Sequence, residues 1–288
     1  MKEAIKRLLT FSIAIPAIIA LILFLPFMRH LPLNIVVILF SAVGGVEFSK
    51  MLEKKNLHIT KIEAFILGAL APAALTLNIS FNCPSWTFPL LLMAGCSWTL
   101  LSHIFYRSEK METVTNYIAA GFSVMAYPGF FMYWLIKMNY LENSGPLILI
   151  FLMIILGTDA AAWLFGNLFG AKNRGIIPAS PNKSIAGFAG GIFGSIVVSG
   201  GAVLIVPAIF TSRFGSVPAL CTAIVLGICT GIAGALGDLA ESAIKRSCGV
   251  KDSGKLMPGR GGVMDSIDSI ATASPVFFLL FNVFFINS

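Results

Sequence analysis

Six acidic residues lie within or directly beside long apolar segments, where ionisable side chains are costly and are therefore candidates for function. They are Asp159, Asp238, Glu241, Asp252, Asp265 and Asp268. Two of them stand in a stretch with further polar groups. If a helix continues past Gly237, Asp238 shares one face with Glu241, Ser242 and Lys245, because these positions are spaced i, i+3, i+4 and i+7.

Asp265 and Asp268 follow a basic loop and are three residues apart, so a helix would turn both to the same side. Together with Asp238 they would supply three carboxylates with no soft ligands nearby, a set that suits Mg²⁺. The spacing therefore predicts a divalent-metal site. The same residues could instead form structural ion pairs with nearby lysines, such as Glu241 with Lys245, or couple to ions or protons.

The loop between these segments, residues 251–262, is rich in glycine and in cations. Its Gly259, Gly261 and Gly262 allow backbone N–H groups to approach an anion closely, and neighbouring Lys and Arg side chains supply countercharge. The loop lacks the spacing of a P-loop, and a flexible connection is an equally good interpretation. Residues 180–184 form a related turn that presents one lysine and two hydroxyls before an apolar segment.

The composition limits which elements can hold these groups. Of 288 residues, 57% are hydrophobic and 11% charged, whereas soluble domains have about 25% charged residues. Five cysteines are too few for a disulfide scaffold of this length, and the hydrophobicity excludes disorder. The sequence predicts an all-α, polytopic membrane protein.

Nine apolar segments approach or exceed the roughly 20 residues that a transmembrane helix needs. They are 8–28, 31–48, 62–81, 86–106, 113–136, 146–169, 185–210, 217–243 and 270–286. With a cytoplasmic N-terminus, 17 of the 20 Lys and Arg residues fall in cytoplasmic segments. We therefore predict an external C-terminus, and interpret the +7 net charge as a signal of topology in the cell (inner) membrane rather than of nucleic-acid binding.

Both long loops, 171–184 and 244–269, lie on the predicted cytoplasmic side, and we expect the chemistry there. The chain accordingly divides into an N-terminal transmembrane region, 1–144, and a C-terminal catalytic transmembrane region, 145–288. The remaining seven acidic residues, Glu47 and Glu63 among them, are interpreted as solvated charges at the ends of spans or in loops.

The residues from 242 to 268 resemble the signature of the phosphatidate cytidylyltransferases (CDP-diacylglycerol synthases). The matching positions include Ser242, Lys245, Arg246, Lys251, Asp252, Gly254, Pro258, Gly259, Gly261, Gly262, Asp265 and Asp268. The resemblance extends upstream to Asp238, Lys183 and Asp159 and covers roughly the last 130 residues, whereas the first half agrees only in hydropathy.

Four positions depart from the pattern of that family. Arg260 replaces the usual His, Ser266 replaces Arg, Ala186 replaces Glu, and Asn167 replaces a basic residue. A guanidinium missing at Ser266 could be supplied by Arg260. The departures concern nucleotide contacts or substrate preference more than the metal site, because every signature aspartate is present.

The resemblance implies transfer of CMP from CTP to phosphatidate, giving CDP-diacylglycerol and pyrophosphate for phospholipid biosynthesis. A lipid phosphate is already an anionic nucleophile, so the step needs positioning and neutralisation of charge rather than a protein base. The resemblance assigns catalysis to Asp238, Lys245, Asp265 and Asp268, whose aspartates would hold Mg²⁺, with a second metal ion left open. It assigns substrate binding to Ser180, Lys183, Ser184, Ser242, Arg246, Lys251, Asp252 and Arg260.

As partners, the resemblance implies CTP, phosphatidate, membrane lipids and a second copy of the chain in a homodimer. One rival interpretation is a cation-coupled transporter in which Asp159 and Asp238 bind Na⁺ or H⁺. It leaves unexplained why the polar groups gather on one side, since transporter sites favour the midplane. Two further interpretations are a cytidylyltransferase that acts on a different lipid phosphate and a homologue that has lost activity.

Overall fold

Apolar segments of this length satisfy their backbone hydrogen bonds internally, and in the computed structural model they form helices. The structure describes residues 2–104, 108–214 and 218–285, with the backbone alone at 2–11 and 108–110. No strand occurs among these residues apart from two isolated bridges, Arg174 with Ser184 and Met257 with Gly261. The predicted all-α class is confirmed.

Ten α-helices follow one another along the described chain. They are α1 Lys2–Phe24, α2 Phe27–Glu53, α3 Lys61–Phe81, α4 Thr87–Leu101, α5 Val114–Val124, α6 Phe131–Lys137, α7 Ser144–Phe169, α8 Ile185–Ile205, α9 Ala219–Ser247 and α10 Met264–Phe285. A π-helical segment, Met125–Phe130, joins α5 to α6 and contains Pro128, which has no N–H to donate. The chain from Met111 to Tyr140 is therefore a single interrupted helical segment.

Seven helical segments are long and apolar enough to cross a membrane, as expected for a multi-pass membrane protein. They are Phe27–Glu53, Lys61–Phe81, Met111–Tyr140, Ser144–Phe169, Ile185–Ile205, Ala219–Ser247 and Met264–Phe285. Two shorter apolar helices, Ser12–Phe24 and Thr87–Leu101, occupy the other predicted spans. The count of nine and the orientation stay predictions.

Parts of those predictions fall on residues that the structure does not describe. The predicted span ends at 106, 217 and 286 lie outside the described residues. The same holds for cationic side chains used to predict the orientation, at Lys2, Lys6, Arg7, Arg107 and Lys110.

The chain forms two compact units, and the first comprises residues 1–140 and 245–267. Within it, α2 and α3 approach closely through glycines. A Cβ atom on Gly45 would lie 2.6 Å from the Ala64 carbonyl oxygen, and one on Gly68 would lie 2.7 Å from that of Ser41. Glycine is therefore required at this crossing, as is common where membrane helices pack. The first unit thus includes the long loop that follows α9.

The second unit comprises residues 141–244 and 268–285 of the described chain. Helices α7 and α8 pack through small residues, since a Cβ atom on Gly194 would lie 2.5 Å from the Gly157 carbonyl oxygen. A Cβ atom on Gly231 in α9 would lie 2.8 Å from the Cβ atom of Ser195. These contacts agree with the interpretation of the glycine series as packing positions.

Candidate active site

In the second unit, Asp238 of α9 forms an ion pair with Lys183 from the loop before α8. Lys183 Nζ lies 2.6 Å from Asp238 Oδ2, and the two side chains remain 27% and 35% exposed. Ser242, one helical turn after Asp238, donates its hydroxyl to Asp238 Oδ1 at 3.4 Å. The helix predicted to continue past Gly237 is therefore present, and Asp238 on it contacts two further predicted site residues, Ser242 of the same helix and Lys183 of the loop.

The loop that carries Lys183 is held by its own backbone. Lys183 N donates to the Ser180 carbonyl oxygen at 3.1 Å, and Gly175 N donates to that of Pro181 at 2.9 Å. Ser184 is the N-cap of α8, where its buried Oγ accepts from Gly187 N at 3.0 Å. These hydrogen bonds fix the backbone position of Lys183. The substrate contacts predicted for Ser180 and Ser184 stay predictions.

In the first unit, Asp265 at the start of α10 is surrounded by donors. Its Oδ1 lies 2.5 Å from Lys245 Nζ in an ion pair whose side chains are only 8% and 11% exposed. Its Oδ2 accepts from Ser253 N at 2.9 Å, Ser253 Oγ at 2.8 Å and Gly262 N at 2.7 Å. Asp265 therefore connects the end of α9, the glycine-rich loop and the start of α10.

The glycine-rich loop contains a tight turn. Arg260 N donates to the Met257 carbonyl oxygen at 3.1 Å, and Gly259 between them has φ 77°. Proline at 258 followed by glycine with positive φ is the pattern of a type II turn. Gly261, with φ 109°, also adopts a conformation that favours glycine. The anion that the Gly262 N–H contacts is the Asp265 carboxylate of the same chain.

Glu47 of α2 is a buried member of this cluster, although its position in the sequence was interpreted as that of a solvated charge. Its Oε2 accepts from Met264 N at 2.9 Å and from Ser253 Oγ at 3.3 Å, and Val263 adds a backbone hydrogen bond. The side chain is buried, so the interpretation as a solvated charge was wrong. A signal existed, because residue 47 lies inside the predicted span 31–48, where an acid is a functional candidate.

Glu63 lies in the first turn of α3, at the end of a span as predicted, where it is half-buried. It completes a capping box with Thr60, and its Oε1 accepts from Tyr117 Oη at 2.6 Å and from Trp98 Nε1 at 3.1 Å. These bonds connect α3 to α4 and α5. Glu63 therefore serves the packing of the first unit.

Other predicted site residues are placed by the loop and by the helix ends. Arg246 donates to the Val250 carbonyl oxygen at 3.3 Å, and Lys251 and Asp252 are exposed. Asp268 is buried, and its Oδ1 accepts from its neighbour Ser269 N at 2.6 Å. The loop thus exposes the charged side chains of Lys251 and Asp252 to solvent.

The described residues contain no group of three or more His, Cys, Asp or Glu side chains arranged to hold a metal ion. Asp238 and Asp265 are instead paired with lysines. Burial raises the pKa of the Cys248 thiol, an effect that Lys55 partly opposes, so this thiol ionises less readily than an ordinary cysteine.

Comparison with known proteins decides the family. The model of the cytidylyltransferase family matches residues 5–284. The chain belongs to the cytidylyltransferase family. A phosphatidate cytidylyltransferase of Staphylococcus saprophyticus is 33% identical over 270 residues, covering 92% of this chain and 96% of that relative. A phosphatidate cytidylyltransferase of Staphylococcus aureus is 31% identical over 281 residues, covering 94% and 97%.

These matches confirm the predicted family and the class of enzyme, a nucleotidyltransferase. A third relative, the uncharacterized protein YnbB of Escherichia coli, is 36% identical over 148 residues, half of this chain and 46% of YnbB. The family match includes the first half of the chain, which the sequence analysis matched by hydropathy alone. Glu47 therefore lies within the part that belongs to the cytidylyltransferase family.

Two departures from the cytidylyltransferase pattern have arginines beside them. Arg260 Nε donates to the carbonyl oxygen of Asp265, directly before Ser266, at 3.2 Å. Arg174 Nη2 lies 3.4 Å from Asn167 Oδ1 and 3.1 Å from the Gly166 carbonyl oxygen. Each guanidinium is thus near a position where the resemblance predicts a basic residue. At Ala186, where the resemblance predicts a carboxylate, the backbone N–H donates to Asn173 Oδ1 at 3.4 Å.

Proposed function

We propose that the chain transfers CMP from CTP to phosphatidate, giving CDP-diacylglycerol and pyrophosphate. The observation that carries the proposal is the alignment of relatives named phosphatidate cytidylyltransferase over 92–94% of the chain. The two lysine–carboxylate clusters support it. We further propose that the reaction occurs at the cytoplasmic face of the cell inner membrane, where 17 of 20 cationic residues are predicted to lie.

In the proposed reaction, a phosphate oxygen of phosphatidate attacks the α-phosphorus of CTP. The new P–O bond forms as the bond between the α-phosphorus and its bridging oxygen breaks, and pyrophosphate leaves with that oxygen. The nucleophile is already an anion, so no side chain needs to remove a proton. The protein's task is to position two polyanions and to neutralise the charge that develops on the leaving group.

Of the two ion-paired lysines, Lys183 is better placed to contact a phosphate, because its side chain is 27% exposed and its partner Asp238 is 35% exposed. The carboxylate keeps the ammonium directed to one place, and a phosphate oxygen can approach from solvent. Lys245 is only 11% exposed, so its proposed role is to hold Asp265. Lys251, Asp252 and Arg260 are proposed as further contacts from the loop.

The described residues contain no ready-made metal site, and we propose from the family resemblance that Asp238, Asp265 and Asp268 bind Mg²⁺, since their hard oxygen donors fit this ion chemically. When bound, the ion would neutralise phosphate charge. Asp265 Oδ2 already accepts three hydrogen bonds. Among the described residues, Asp238 Oδ1 accepts one long bond, from Ser242 at 3.4 Å, and is therefore more available to an ion than Asp265 Oδ2. A second ion and the homodimer stay predictions from the family resemblance.

The proposal is tested by incubating purified protein in detergent with CTP labelled at the α-phosphate and with one lipid acceptor at a time. We expect label in the lipid phase with phosphatidate and much less with diacylglycerol, which lacks the phosphate, or with a polyprenyl phosphate. We expect Asp238→Asn to reduce this label, with the exposed Glu53→Gln as a matched control. Equal labelling of a polyprenyl phosphate would overturn the assignment of the acceptor.

A further inference from the structure

We propose that Glu47 is a positioning residue, whose buried carboxylate holds the loop 251–263 against the start of α10. The loop carries the exposed Lys251 and Asp252, so its position determines where these side chains meet the nucleotide. The kinetic part of this inference rests on the proposed function, whereas the structural part does not.

The first support is the set of groups that Glu47 contacts. Its Oε2 accepts from Met264 N at 2.9 Å, and a hydrogen bond to the Val263 backbone accompanies it. These groups lie at the N-terminal end of α10, where the first N–H groups lack partners within the helix and the helix dipole favours an anion. Glu47 therefore anchors the start of this helix from α2.

The second support is the hydroxyl that Glu47 shares with Asp265. Ser253 Oγ lies 3.3 Å from Glu47 Oε2 and 2.8 Å from Asp265 Oδ2, and Ser253 is itself buried. One end of the loop is thereby fixed between two carboxylates. Loss of the Glu47 carboxylate leaves the Asp265 contacts as the remaining side-chain anchor of Ser253.

The third support is the space that two glycines leave for the carboxylate. A Cβ atom at Gly254 would collide with Glu47 Oε1, and one at Gly262 would collide with Glu47 Oε2 and Ser253 Oγ. Neither glycine has a positive φ, so backbone conformation does not explain their presence. Close approach of the Glu47 side chain explains Gly254, whereas at Gly262 the Ser253 hydroxyl and the Gly254 backbone N, 2.6 Å from the added atom, contribute together with Glu47.

The experiment compares wild type, Glu47→Gln and Glu53→Gln. The control makes the same chemical change on the same helix, at an exposed position six residues later. Two measurements are made on each protein. The first is the rate of trypsin cleavage after Lys251, Lys255 and Arg260, followed by mass spectrometry. The second is steady-state kinetics, which gives the KM for CTP and kcat separately. Glutamine keeps the size of the side chain but removes its charge and presents an N–H₂ group that cannot accept from the backbone donors.

We expect Glu47→Gln to accelerate cleavage within the loop by about tenfold or more, the effect of weakening a hydrogen bond to a charged group. The KM for CTP should rise by about the same factor while kcat changes less, because the binding groups lose their position. General destabilisation would instead lower the active fraction and hence the apparent kcat at an unchanged KM. Glu47→Asp, which restores the charge on a shorter side chain, should fall between wild type and Glu47→Gln.

Equal cleavage rates and equal KM values in Glu47→Gln and Glu53→Gln would overturn the inference. If Glu47→Gln does not fold, Gly254→Ala decides the matter, because the three atoms nearest to its added methyl group all belong to the Glu47 side chain, which must move away from the loop. Unchanged loop cleavage in that variant would also overturn the inference. If wild type transfers no CMP, the proposed function fails, and the cleavage measurement still tests the anchoring by itself.

Discussion

The ion pair between Lys245 and Asp265 gives the most quantitative prediction. Its side chains are 11% and 8% exposed, so removing either partner leaves a charge largely out of water. We expect Lys245→Met and Asp265→Asn each to lower the free energy of unfolding by about 3 kcal/mol, the lower end of the range for a broken buried pair. Asparagine retains one oxygen for the donors of the loop, which limits the damage.

The double variant should cost about 3 kcal/mol, no more than either single variant, because it leaves neither charge unpaired. The resulting coupling energy is about 3 kcal/mol. The chain contains its own control, the more exposed pair of Lys183 and Asp238, at 27% and 35%. The coupling energy from Lys183→Met and Asp238→Asn should be below about 1 kcal/mol because solvent screens this pair.

Both cycles can be measured by equilibrium unfolding in mixed micelles with an increasing fraction of SDS, followed by tryptophan fluorescence. A coupling energy below about 0.5 kcal/mol for Lys245 and Asp265 would refute the buried pair, since independent sites are additive within that margin. A larger coupling for the exposed pair than for the buried one would refute the ranking by burial.

Three further predictions concern the cap of α8, the thiol and the metal. Ser184→Ala should lower the free energy of unfolding by about 1 kcal/mol through loss of the cap to Gly187 N; in the same mixed micelles, an unchanged value would contradict that role. Since burial raises the pKa of Cys248, its alkylation at neutral pH should be slower in native protein than in SDS-denatured protein and should keep accelerating above the pH where an ordinary thiol has ionised. Equal rates would contradict the shift. Removal of divalent cations with EDTA should abolish labelling of phosphatidate and added Mg²⁺ should restore it, whereas full activity in excess EDTA would rule out the proposed metal.

The helices were predictable because hydropathy reports directly on which segments can satisfy their hydrogen bonds away from water. All nine apolar segments contain helix where they are described. Their lengths were less predictable, since apolar composition extends beyond helix ends: α4 is Thr87–Leu101, shorter than the predicted 86–106. The interruption at Pro128 was not predicted either, because hydropathy does not report on helix geometry.

The candidate site was predictable where spacing within one helix sufficed, as for Asp238 and Ser242. It was not predictable where the partner comes from a distant segment. Lys245 pairs with Asp265, 20 residues away, and Lys183 pairs with Asp238, 55 residues away. Glu47 contacts Met264 across 217 residues, and only the tertiary fold brings such residues together. Its position within an apolar segment was the available signal.

The most direct test of the proposed activity follows two phosphates of CTP at once. Purified protein with phosphatidate is supplied in parallel with CTP labelled at the α-phosphate and CTP labelled at the γ-phosphate. If the chain transfers CMP from CTP to phosphatidate, the α-label appears in CDP-diacylglycerol, the γ-label appears in pyrophosphate in the aqueous phase, and the two products form in equal molar amounts. Transfer of γ-label to the lipid, or no lipid label from folded protein, would contradict this reaction.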